Sequence, residues 1–157
     1  MNPGRLVGRF RGTTATGLLL VVAGGVLSGC SSAVQVSAVP AHTAACDRVD
    51  AGWPRTVAHQ DRRSVTPTNP DAAAWGDPAV IATCGWPELG PTTDPCIQVD
   101  GVDWVAHQLS DGVQFRTFGR SPVIEVLVPK AYAPEPLLLP AFGAAAKALP
   151  PNGRHCT

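Results

Sequence analysis

The sequence predicts an α+β fold: a single two-layer domain whose antiparallel sheet of four or five strands carries an N-terminal and a C-terminal helix, held by two disulfides. Three observations predict it. Between Ala79 and Val128, short apolar or alternating runs are separated by Gly, Pro and Asp clusters, the signature of strands joined by turns. On either side of that region apolar residues recur at helical spacing: Val49, Trp53 and Val57 before it, and Leu138, Phe142, Ala145, Ala146 and Leu149 after it. Cys46, Cys84, Cys96 and Cys156 make an even set within the same stretch.

In chain order, residues 1–29 read as a lipoprotein signal peptide. Arg5, Arg9 and Arg11 form a basic head with no acidic residue near it, and an apolar run follows through Leu18-Leu19-Leu20-Val21-Val22 to Leu27. The run is shorter than the ~20 residues of a spanning helix. Gly24 and Gly25 weaken it as a helix by ~1 kcal/mol each. Leu27-Ser28-Gly29-Cys30 resembles the bacterial lipobox position by position. That resemblance implies that Cys30 receives a diacylglyceryl group, becomes the first residue of the mature protein and is anchored at the extracytoplasmic face of the cell membrane. Two acyl chains hold where one is marginal, because each buried methylene contributes ~0.8 kcal/mol. No twin arginine precedes the run, which points to the general secretion route.

Residues 30–43 are small, polar and uncharged apart from histidine, and read as a flexible tether. Residues 44–157 read as the globular domain. Cys46 to Val57 is expected as a short helix that Pro54 ends or kinks. Gln60 to Ala74 is polar and expected as loop, and Trp75-Gly76-Asp77-Pro78 as turn. Strands are expected at Ala79–Cys84, Cys96–Val99, Val102–His107, Val113–Phe118 and Val123–Val128. Asp100-Gly101 between two of them calls for a tight primed hairpin turn, which places Ile97, Val99, Val102, Trp104 and Ala106 inward. The C-terminal apolar stripe is expected as a helix starting near Pro136 and Pro140 and ended by Pro150-Pro151.

Four cysteines in an exported chain allow three pairings. Spacing favours Cys84 with Cys96, bracketing a Pro- and Gly-rich loop, and Cys46 with Cys156, tying the start of the domain to its end. No Cys-x-x-Cys or His-x-x-x-His spacing occurs, so neither a metal nor another cofactor is expected. Without the three signal arginines, nine basic residues stand against twelve acidic ones, a net charge of −3. With no basic patch, nucleic acid is not expected as a partner.

Trp75-Gly76-Asp77-Pro78, the Cys84-Gly85 pair, Gly101-Val102-Asp103-Trp104 and Ser121-Pro122-Val123-Ile124-Glu125-Val126-Leu127-Val128-Pro129 together resemble an actinobacterial family of secreted or lipid-anchored proteins classed as a domain of unknown function. The likeness covers Cys46 to Cys156. It implies no assigned activity. Genes of that family often lie beside a D-alanine–D-alanine ligase gene, which implies work at the cell envelope.

No Gly-x-Ser-x-Gly or phosphate loop occurs, and no catalytic residue is assigned. An acid–base pair of His107 with Asp103 on one strand face would suit a small envelope hydrolase or transferase, the alternative reading. Paired carboxylates, Asp77 with Asp100 or Asp103, would allow glycoside or metal chemistry. Trp75 and Trp86, set among Gly and Pro, are the candidates to stack on a sugar or anchor a partner. Arg120, with Arg62 and Arg63, is the candidate to hold an anionic group. The expectation is therefore a non-enzymatic binding or scaffolding lipoprotein of the cell envelope, with an envelope protein or cell-wall component as partner.

Overall fold

The computed structural model describes residues 32–157. The signal peptide and Cys30 lie outside the described residues. In chain order the elements are β1 (Val34–Gln35), α1 (Asp47–Asp50), β2 (Thr56–Val57), β3 (Gln60–Arg63), β4 (Val65–Thr66), β5 (Ala72–Trp75), β6 (Val80–Trp86), β7 (Cys96–Val99), β8 (Val102–Gln108), β9 (Gly112–Phe118) and β10 (Val123–Pro129). Short 3₁₀ helices at Lys130–Tyr132 and Glu135–Phe142 lead into α2 (Gly143–Lys147).

The α+β expectation of four or five strands under two helices is corrected: the molecule is mostly β. Eight strands form one antiparallel sheet in the order β2-β3-β5-β6-β10-β9-β8-β7, and β1 pairs in parallel with β4. The difference arises at both ends. Gln60–Ala74 contributes β3, β4 and most of β5, where loop was expected. Its strand character is hidden in the sequence because β3 is polar and β5, Ala72–Trp75, is buried on both faces and shows no alternation. The helices shrink instead. Trp53-Pro54 follows α1 closely, leaving it four residues. Pro136 and Pro140 lack the amides an α-helix needs, and their stretch adopts eight residues of 3₁₀ helix before the five of α2.

The strands from Val80 onward lie where alternation put them. Asp100 and Gly101 have φ of 49° and 76°, the primed turn that joins β7 to β8. Val102 and Trp104 are in the core, and Ile97, Val99 and Ala106 pack against it. One sheet face, with Trp75, Val80, Ala82, Trp104, Phe115, Ile124 and Val126, is covered by α1, Trp53, the Glu135–Phe142 helix and α2.

The disulfides are Cys46–Cys84 and Cys96–Cys156, so the pairing that spacing favoured is corrected. Cys84 ends the core-facing residues of β6 and meets the residue that opens α1. Cys96 begins the edge strand β7 and meets the C-terminal tail. Each bond therefore pins a terminal segment to the sheet. The stretch read as tether also joins the domain in part: Val34–Gln35 pairs with β4, and Val36 is buried.

Candidate functional site

Among the described residues, no helix covers the second face of the sheet. Thr83, Glu125, Gln114, Arg116, Asp103 and Val105 occupy it, because they alternate with the core residues of β6, β10, β9 and β8. Regular alternation would send Trp86 into the core beside Cys84. Instead Gly85 is an extra residue between two register partners: Ile124 pairs with Cys84, and Val123 with Trp86. Its φ of 110° suits glycine, and a Cβ there would lie 3.0 Å from the Ala41 carbonyl oxygen and 3.2 Å from Pro40, a tight fit. This bulge aims Trp86 onto the open face.

There the indole N–H of Trp86 donates to Thr83 Oγ1 at 2.7 Å, and the Arg116 guanidinium lies 4.9 Å from the ring centroid. Arg116 in turn grips Glu125. Its Nε donates to Oε2 at 2.7 Å and Nη2 reaches the same oxygen at 2.6 Å. Gln114 Nε2 adds a third donor to that oxygen at 2.8 Å. Glu125 is 6 % exposed, so its charge depends on these donors for the solvation it lost.

The ion pair divides two shallow cavities. One, of about 210 Å³, holds Glu125, Ile81, Thr83 and Leu127 against Gln35–Ala38. The other, of about 180 Å³, holds Arg116, Gln114, Val105 and His107 beneath Leu89, Thr92 and Asp94. A third, of about 280 Å³, continues past Pro91 and Phe118 to the Cys96–Cys156 bridge and His155. Together they make a trough across the strands, walled by the N-terminal segment and by the loop after Trp86.

The expected site residues fare differently. Trp75 is corrected: it is fully buried, edge-on to Trp53 at 6.4 Å and to Phe142 at 5.4 Å, with its N–H donated to the Pro54 carbonyl. Its ring fills the space between sheet and helices and offers no face to a ligand. Trp86 is half-buried on the open face, with Arg116 against its ring. Arg120 donates from Nη1 to the Leu149 carbonyl at 2.9 Å, holding the end of the helical layer. Arg63 donates to the carbonyls of Gly76 and Ser32, and Arg62 lies 3.7 Å from Asp50.

His107 and Asp103 do not pair. His107 Nδ1 meets Asp94 at 3.1 Å, while Asp103 takes His155 Nδ1 at 3.0 Å, the Cys156 amide and Gln98. Asp103 thereby fastens the tail, a structural duty that its burial demands. Asp77 follows β5 and Asp100 turns β7 into β8, so β6, β10 and β9 separate those carboxylates. Among the described residues no group of three metal-ligating side chains comes together.

Sequence reasoning missed the Arg116–Glu125 pair. The signal was present: Glu125 is the single charge inside Val123–Val128, and Arg116 alternates with inward Phe115. It also missed His42. This imidazole bridges buried Asp71, at 2.8 Å, and Asp47, at 3.3 Å, beside the Cys46–Cys84 bond. The hydrogen bond and charge of Asp71, with help from Asp47, raise its pKa above the ordinary histidine value against a small opposing effect of burial.

Fold and face define a disulfide-stapled, mostly-β domain with one side packed and the other open as a polar trough. The chain belongs to the family described as protein of unknown function (DUF3515), whose model matches residues 15–151. Neither the curated proteins nor the solved structures gave a match.

Proposed function

We propose that this chain is an exported lipoprotein, anchored through a diacylglyceryl group on Cys30 to the extracytoplasmic face of an actinobacterial cell membrane. There it binds an envelope protein or cell-wall component without transforming it. The lipobox motivates the anchor. Two disulfides support an oxidising compartment, since such bonds are rare in the cytosol. The observation that carries the binding reading is the trough itself: the bulge at Gly85 turns Trp86 outward to lie against an Arg116 already fixed by Glu125. A preset aromatic and cationic pair beside the trough loses little freedom on binding.

The alternative, a small hydrolase or transferase using His107 and Asp103, is weakened by their separate partners, Asp94 and His155. Crosslinking in intact cells tests the proposal. A photoreactive residue at Thr92 should capture a specific envelope component, and Trp86→Ala should weaken capture while the domain stays folded. Turnover of cell-wall fragments by the isolated domain, abolished by His107→Ala, would replace binding with catalysis.

A further inference from the structure

Residues 152–157 are held to the sheet without a core of their own. Apart from Cys156 they carry no apolar side chain, and every one except Cys156 is exposed. Their attachments are surface hydrogen bonds and one covalent bond. The Asn152 amide donates to the Gly119 carbonyl at 3.0 Å. His155 Nδ1 lies 3.0 Å from the Asp103 carboxylate, which also accepts from the Cys156 amide at 3.3 Å. Hydrogen bonds at such exposed positions contribute little net, because water replaces them. Cys96–Cys156 is the fastening that water cannot replace.

This tail in turn holds the loop that walls the trough. Asn152 Nδ2 donates to Glu88 Oε2 at 2.8 Å, and Arg154 Nη1 to the Leu89 carbonyl at 2.9 Å. Further along the same loop, Asp94 meets His107 at 3.1 Å and the Pro95 carbonyl accepts from the Ala106 amide at 2.9 Å. The half of the loop nearest Trp86 is therefore tied down through the tail, and the tail through Cys156.

The two disulfides differ in access. Cys46 and Cys84 are 1 % and 0 % exposed. Cys96 and Cys156 are both half-buried, and together they line the cavity of about 280 Å³ with Pro91, Thr92, Phe118 and His155. Thiol–disulfide exchange needs a thiolate to reach a sulfur, so a reagent in solution meets this bond and not the other.

We propose that Cys96–Cys156 is a thiol–disulfide exchange site for an external dithiol, and that its reduction unlatches the tail and opens this end of the trough. One thiolate of the dithiol attacks Cys156 Sγ. The Sγ–Sγ bond breaks, Cys96 leaves as a thiolate and takes up a proton. The second thiol of the reagent then displaces Cys156 from the mixed disulfide. The dithiol ends as a disulfide, and two electrons and two protons have passed to Cys96 and Cys156. Cys96 stays in the β7–β8 ladder, while Cys156 moves off with the tail. The loop loses its ties at Glu88 and Leu89, and Cys46–Cys84 keeps the packed side of the sheet closed. The latch stands apart from the question of what the trough binds.

The test uses the full chain purified from membranes in detergent, with dithiothreitol as the dithiol and no denaturant. After timed exposure, free thiols are alkylated and assigned by peptide mapping, which keeps Cys30 separate from the four others. Cys96 and Cys156 should become alkylated together, at least about tenfold faster than Cys46 and Cys84. Hydrogen exchange on that partly reduced protein should quicken across residues 87–95 and 152–157 and stay unchanged in β6, β9 and β10. The double variant Cys96→Ser, Cys156→Ser should show the same exchange pattern without reductant. Equal reduction of the two bonds would overturn the proposal. So would first reduction of Cys96–Cys156 with exchange unaltered in the loop and tail, or with exchange raised throughout the sheet, which would make the bond a staple of the whole domain.

Discussion

Arg116 holds the buried carboxylate of Glu125 through two nitrogens, 2.7 and 2.6 Å from the same oxygen. Two neighbouring central strands supply the partners, with Arg116 directly opposite Glu125 in the ladder. The pair thus fixes the trough floor from the interior of the sheet.

Removing one partner should cost more than softening the other. Arg116→Ala leaves the buried Glu125 carboxyl without its main partner, a loss of about 3 kcal/mol in urea unfolding. Glu125→Gln keeps shape and some hydrogen bonding and should cost about 1 kcal/mol. Equal small losses would show that the pair is not buried as described.

The tryptophans should separate by role. Trp75→Ala empties a core site between Trp53 and Phe142 and should destabilise the domain by about 3–5 kcal/mol. Trp86→Ala removes a half-buried indole stacked against Arg116 and should cost about 1 kcal/mol while weakening partner capture. Thermal melts of the two variants, compared with crosslinking yield, check this.

Peptide mapping without reductant should return Cys46 joined to Cys84 and Cys96 joined to Cys156. Loops of 38 and 60 residues are closed, so replacing either bridge by serines should cost up to about 4 kcal/mol in the chain-entropy account. A Cys84–Cys96 peptide would contradict the fold.

His42 makes the attachment of the N-terminal segment pH-dependent. Its pKa is raised in the folded protein, so the folded state binds the proton more tightly. The charge-dependent stabilisation from Asp71 and Asp47 is fully present below the ordinary histidine value near 6.5 and fades as pH rises through the raised value. The stability difference between wild type and His42→Ala should therefore be largest on the acidic side, while Asp71 remains ionised, and fall to a smaller constant value at alkaline pH. A difference that grows with pH would reverse the assignment.

Much of the sheet was legible because β6 to β10 announce themselves. Val123–Val128 is β-branched, Asp100-Gly101 dictates its turn, and Val102 and Trp104 alternate cleanly inward. The extra strands were not legible. Gln60–Arg63 is polar because it lies near the sheet edge, and Ala72–Trp75 is buried on both faces, so neither shows a period of two. The helical ends misled because Leu138, Phe142 and Ala145 fit helical spacing whether the turns are 3₁₀ or α. At the site, Trp86 and Trp75 were not distinguished, since flanking Gly and Pro look alike in sequence. Only the bulge at Gly85 and the ring packing of Trp53 and Phe142 separate an outward indole from an inward one. The pairing of Cys46 with Cys84 depends on where β6 ends relative to α1, a long-range relation that local spacing does not encode.

The central claim is that this domain works outside the cytosol on a lipid attached at Cys30. Mass spectrometry of the N-terminal peptide from the membrane fraction measures it directly. The account predicts a chain that begins at Cys30 and carries a diacylglyceryl group, lost together with membrane retention in Cys30→Ala. A chain that keeps residues 1–29 and an unmodified Cys30, recovered from the cytosol, would contradict it.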